Sequence, residues 1–189
     1  MASSRSIIDV SFVSPSLTGM LKTATLSGFK RATGYGVRVG GSAERDNISE
    51  YSYINTKRMA ADRLLRTAVK EVTKRLGLSD NVLTYNILHL SDGDFLDWQD
   101  YYMWNSKTQV SITSAVRGPV INFFSISLTD DNMIEFREDP EELINVPKHH
   151  GILFHPSDVH RVPTVSKDHT WLILGIPSHI DVGEVIRQD

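Results

Sequence analysis

Cysteine is absent from this chain, so disulfides, thiolate metal sites and cysteine nucleophiles are excluded, and any metal must be held by histidine and carboxylate. Also missing is any run near the roughly 18–20 apolar residues of a membrane-spanning helix. The opening Met1-Ala-Ser-Ser-Arg-Ser6 leads into a short apolar stretch that Asp9 interrupts, and the expectation is a soluble, cytoplasmic protein with no membrane partner. There is no large excess of charge: a formal net charge of -3 gives no general drive toward nucleic acid or an anionic surface. Several catalytic signatures are missing too. There is no Gly-any-Ser-any-Gly elbow, no His-Glu-any-any-His and no two-helix carboxylate motif. The glycines of Thr33–Gly41 are followed neither by a helix signal nor by Gly-Lys-Ser/Thr, so they read as loop, short strand and turn rather than a phosphate cradle.

What is present suits one core. With 189 residues, 40% hydrophobic and 23% charged, a single domain over 1–189 is expected, without repeats, low-complexity tracts or linkers. Residues 1–80 would supply N-terminal strands and a supporting helix, and 81–178 the core. A first strand is expected at Ile7–Val13. From Thr56 to Leu76 the apolar period is helical, with Ala61, Leu65, Ala68, Val72 and Leu76 three or four apart and Gly77 at the end. The other face of that helix carries Lys57, Arg58, Arg63, Arg66, Lys70, Lys74 and Arg75 against only Asp62 and Glu71. It reads first as a solvated face; a nucleic-acid partner bound through the basic helix 57–75 is the less favoured reading.

After the helix the sequence turns to strands: Val82–Leu90, Gln109–Ser114, Val120–Leu128, Met133–Phe136, Gly151–His155, Val162–Val165 and Trp171–Ile176. Asp139-Pro-Glu-Glu142 is the one helix-start signal among them and predicts a single turn. One long helix followed by seven short strands predicts a mainly β fold, an antiparallel sandwich or barrel with the helix packed on one sheet.

The candidate site lies in two stretches. Leu83-Thr-Tyr-Asn-Ile-Leu-His89 leads through Asp92-Gly-Asp94 to Trp98-Gln-Asp100-Tyr101. Val146-Pro-Lys-His-His-Gly-Ile-Leu-Phe154 leads to His160. In order and spacing these resemble the iron(II)/2-oxoglutarate-dependent oxygenases, in the prolyl-4-hydroxylase-like branch, over Val82 to Pro177, roughly half of the chain. The resemblance implies a double-stranded β-helix, or jelly roll, and hydroxylation of a small-molecule or protein substrate that the sequence does not identify, with Fe(II) and 2-oxoglutarate as cofactors.

In such enzymes two imidazoles and a carboxylate hold iron on one face. The resemblance assigns Asp100 as the carboxylate and His160 as the late imidazole. It also exposes a degenerate metal and co-substrate motif. Trp98 stands where the first imidazole is expected, and an indole N–H offers no lone pair to a metal. The cation that anchors the co-substrate's far carboxylate is expected at Thr170, with His169 beside it, and His89 replaces a tyrosine at the end of the earlier strand. His89 could complete or border the metal site, and Arg117 or Arg161 could replace the anchor. His149 and His150 are expected at the surface, with His155 further along the same strand. A cupin is the nearest competing family, but its early histidine cluster is not visible. Two functions remain open: the oxygenase, and a catalytically degenerate jelly-roll binding or assembly module without redox activity.

Overall fold

The computed structural model describes residues 5–35, 48–99, 121–138, 140–155 and 158–187. In chain order they form β1 (Ser6–Asp9), a 3-10 turn (Ser11–Val13), α1 (Ser14–Ser27), β2 (Lys30–Tyr35), β3 (Ile48–Asn55), α2 (Thr56–Ala61) and α3 (Arg63–Arg75). These are followed by β4 (Thr84–Leu90), β5 (Leu96–Gln99), β6 (Ile121–Ser127), β7 (Asn132–Phe136), β8 (Glu142–Val146), β9 (His150–Phe154), β10 (His160–Val162), β11 (His169–Pro177) and α4 (Val182–Arg187). The strands make two antiparallel sheets, one of seven in the order β1-β9-β6-β11-β4-β3-β2 and one of four in the order β5-β10-β7-β8. From β4 onward the chain passes back and forth between them, with β4, β6, β9 and β11 in the large sheet and β5, β7, β8 and β10 in the small one.

Strand alternation divides the core in two. Leu172, Leu174 and Ile176 of β11 pack with Ile87, Phe124 and Ile126 against Leu17, Met20, Leu65, Val69, Val72 and Leu76 of the helices. Trp171 and Ile173 point the other way, toward Leu96, Ile134, Phe136 and Val162 of the small sheet. Every residue of β11 is buried, because it lies mid-sheet with a helical layer on one face and the second sheet on the other. That is why His169–Pro177 reads as a nearly continuous apolar run rather than an alternating one.

Several local expectations are corrected. The helix expected over Thr56–Leu76 is broken at Asp62, whose extended backbone (φ -91°, ψ 117°) ends α2 while its carboxylate accepts from the Leu65 N–H at 2.9 Å to cap α3. The apolar stripe runs through the break, so periodicity alone did not reveal it. Glu142 opens strand β8 rather than continuing a helical turn, because Glu142–Val146 pairs with Asn132–Phe136. The strand expected at Ile7–Val13 stops at Asp9, whose side chain accepts from the Ser11 N–H at 2.8 Å and turns the chain into α1. Helices α1 and α4 went unread, although Pro15 at the start of α1 and Gly28 (φ 71°) at its end are ordinary boundary signals. Gln109–Ser114 lies outside the described residues. No helix among the described residues is long and apolar enough to cross a membrane.

Candidate functional site at the mouth between the sheets

β10 enters the space between the sheets at His160, which is only 1% exposed. Its ring packs against Phe154 (centroids 4.9 Å apart) and Phe136 (6.0 Å). Its Nδ1–H donates to the Asp158 carbonyl at 2.9 Å. That bond fixes the neutral tautomer with the lone pair on Nε2, which is how proteins orient a metal-binding imidazole. Burial pushes the pKa of His160 down to about 4, with the nearby Arg5 charge acting the same way and Asp158 opposing it. The side chain is therefore neutral at neutral pH.

The early motif runs alongside on β5. His160 lies opposite Gln99, but Val162 lies opposite Leu96, so the ladder contains a bulge between those pairs. Leu96 and Val162 face the interior. Trp98 lies under the Arg161 guanidinium, 4.6 Å from ring centroid to Cζ, and Arg161 pairs with Glu135. Glu135 alternates with the inward-facing Ile134 and Phe136, so this trio occupies the outer face of the small sheet. The position across from the late histidine is thus held by Gln99 and not by Trp98. Asp100 and Arg117 lie outside the described residues. Arg161 is committed to Glu135 on the outer face and is no interior anchor.

The large sheet separates the other candidates. His89 and Thr170 are cross-strand partners whose side chains meet at 2.9 Å, with Phe29 stacked on the His89 ring at 5.2 Å. They alternate with Leu88 and Trp171, which face the interior. His89 and Thr170 therefore share the helix-side face with Ile87 and Leu172 and are not brought together with His160. His169 has the interior parity of Trp171. It pairs with Leu90 just before the chain turns into β5, whereas His160 pairs with Gln99 at the end of β5. The length of that strand sets His169 deeper by roughly 10 Å. It is 8% exposed, its Nδ1 has no hydrogen-bond partner, and burial followed by the Lys167 charge lowers its pKa.

His149 was expected at the surface and is buried. It adopts φ 58° in the turn before β9, and its Nδ1 meets the Ser14 hydroxyl at 3.0 Å. The turn carries the ring back over the start of α1.

Two residues important to this mouth were not singled out from sequence. Trp171 fills the interior beneath His160. With Leu88, Leu96, Ser125, Ile134, Phe154, Val162 and Ile173 it leaves a space of about 10 Å³, room for one water. Its Nε1 has no hydrogen-bond partner. Arg5 closes the opening. Its guanidinium lies 3.8 Å over the Phe136 ring, at 2.6 Å from Glu138, 2.8 Å from Glu142 and 3.5 Å from Asp158. Nothing in Ser4-Arg-Ser6 announces this role, since all its partners are more than 130 positions away. Among the described residues, no three His, Asp or Glu side chains gather as a metal-binding group.

No family model and no curated protein matches this sequence. Solved structures do. A prolyl-4-hydroxylase from Pseudomonas putida is 11% identical with a TM-score of 0.55, over 93% of this chain and 94% of that one. A viral collagen prolyl hydroxylase from Paramecium Bursaria Chlorella virus-1, in a 2OG complex, is 12% identical with a TM-score of 0.51, over 93% and 96%. The non-heme alpha ketoglutarate dependent carbocyclase SnoK of nogalamycin biosynthesis is 14% identical with a TM-score of 0.55, over 93% and 80%. The fold is the one these oxygenases share; at such identities the likeness extends to the fold alone.

Proposed function

We propose that this chain is an iron(II)/2-oxoglutarate oxygenase-like jelly roll whose functional centre is the mouth at His160. The observation that carries the reading is the buried, neutral His160 imidazole, oriented through Nδ1 by the Asp158 carbonyl at the open end of two sheets. The strand order supports the jelly roll, because β4 through β11 are divided four to each sheet and the chain crosses between sheets at every step except β7 to β8, as in a double-stranded β-helix.

The two cofactors fit unequally. Iron fits His160 as one imidazole ligand, and Asp100 is the carboxylate proposed to join it; bound there, the metal would supply oxygen activation. 2-Oxoglutarate does not fit the described interior. The space beneath His160 takes one water, and the residues lining it, Trp171 among them, include no cation.

What the residues do on their own is definite. Asp158 holds the His160 tautomer, Phe136 and Phe154 exclude water from its ring, and Arg5 covers the mouth. The other reading is a jelly roll that binds or assembles at its mouth without redox chemistry. Anaerobic iron(II) titration of the wild type and of His160→Ala, followed by a 2-oxoglutarate consumption assay in air, separates the two. Iron binding that requires His160, together with turnover, supports the oxygenase. Binding without turnover supports the module, and binding indifferent to His160 removes the metal from this mouth.

A further inference from the structure

Arg5 is the least expected occupant of the mouth. Its side chain is 7% exposed, although arginine is almost never buried unless paired. Each part of the guanidinium is matched. Nη2 meets Glu138, Nη1 meets Glu142, the flat face rests on Phe136, and Nε lies within ion-pair range of Asp158 without a hydrogen bond to it. These partners come from two different chain reversals, the β7–β8 connection and the approach to β10, and both lie at the end of the sheets where His160 sits. The segment carrying Arg5 is separate from that framework. Among the described residues β1 is an edge strand whose one partner is β9, from Ser6 opposite Leu153 to Asp9 opposite His150, and its Ser6, Ile7 and Asp9 are exposed. An extended strand added to a sheet edge with one side chain in a pocket is a common way of presenting a peptide to a receptor.

We propose that the mouth is a recognition site for a guanidinium group, with an arginyl side chain in an extended peptide as its ligand, and that the chain's own Arg5 fills this site in cis. This rests on the reading of the mouth at His160 as the functional centre and names the chemistry of what it accepts. Two carboxylates and an aromatic face suit the planar, multiply donating guanidinium far better than a compact ammonium. While β1 is seated, the Arg5 guanidinium stands beside His160 and occupies the glutamates that a ligand guanidinium would use.

The test uses N-acetyl-L-arginine amide and the full-length chain without metal, with binding followed by NMR titration. Arg5→Gln should bind the amide saturably and at least tenfold more tightly than the wild type, and N-acetyl-L-lysine amide should bind Arg5→Gln at least tenfold more weakly. Glu138→Gln with Glu142→Gln in the Arg5→Gln background should abolish binding. The proposal is overturned if folded Arg5→Gln fails to bind, if the wild type binds equally well, or if removing both glutamates changes nothing. Should Arg5→Gln not fold, the wild type decides. Arginine amide in excess should accelerate hydrogen exchange at the Ile7–Asp9 amides at least fivefold while the lysine amide does not, and equal protection with both overturns the proposal. Because no iron or turnover enters these measurements, a failure of the oxygenase reading would leave their result standing, and the reverse also holds.

Discussion

Gln99 and His160 face one another across the ladder joining β5 to β10, and the adjoining bulge leaves Trp98 beneath Arg161 on the outer face. Directly opposed residues in an antiparallel pair project to the same side of the sheet. An imidazole placed at 99 therefore stands at the register position opposite His160, and one placed at 98 stands with Arg161 on the outer face. Gln99→His should tighten anaerobic iron(II) binding by at least tenfold, the scale of effect that even indirect partners of a metal ligand have. Trp98→His should leave iron binding unchanged. The opposite ranking in calorimetric titrations would place the bulge elsewhere in solution.

The depressed pKa of His160 makes stability depend on pH. Its folded value of about 4 lies below the unfolded value near 6.5, so between these pH values the unfolded chain binds more protons. Stability is then fully present above about pH 6.5 and is lost as pH falls toward 4. For this one group the loss by pH 4.5 is about 2–3 kcal/mol. His149 and His169 are shifted in the same direction, each mainly by burial. Urea unfolding at pH 7 and pH 4.5 should show a smaller pH-dependent loss in His160→Gln than in the wild type. An equal loss in both would assign the acid sensitivity to other groups.

The sequence was most legible where one physical signal dominated. The strands after residue 80 were marked by β-branched runs and turn residues, and the helix-side stripe by its period. The break at Asp62 was hidden because a cap residue can sit on the polar face without disturbing the stripe. The strand context of the late histidine is plain in the sequence, whereas the bulge that sets Gln99 rather than Trp98 opposite it adds a residue without any compositional mark. The face each residue takes is hidden in the same way. His89 and Thr170 differ from Leu88 and Trp171 by one place each, and in a strand one place exchanges interior for exterior. Arg5 could not be found from sequence, since its binding partners are assembled only by the fold.

Gly151 is required by packing. A Cβ built there would overlap the ring of Phe124, with no backbone strain to blame. Gly151→Ala should cost about 1–3 kcal/mol, the usual range for an overfilled core. Adding Phe124→Leu should recover part of that loss, so the double variant should be less destabilised than the sum of the two single changes. Additive losses in denaturant unfolding would mean that the alanine is accommodated by movement of β9 rather than by the ring.

Trp171 decides whether a 2-oxo diacid can enter. In the wild type its indole lines the small space of about 10 Å³ beneath His160, and saturable 2-oxoglutarate binding is not expected there. Trp171→Ala should open a cavity on the order of 100 Å³ at a cost of about 3–5 kcal/mol, so folding must be verified by circular dichroism and a cooperative melt. Room alone gives no anchor, because His169 is neutral when buried. His169→Arg places a guanidinium on the interior face at the deep end, where it can pair with the far carboxylate. Thr170→Arg puts the same group on the helix side, across the sheet. The variant carrying Trp171→Ala and His169→Arg should therefore bind 2-oxoglutarate at least tenfold more tightly than the one carrying Trp171→Ala and Thr170→Arg, measured anaerobically with iron(II) present. If the wild type binds as tightly as the better variant, Trp171 leaves the interior in solution.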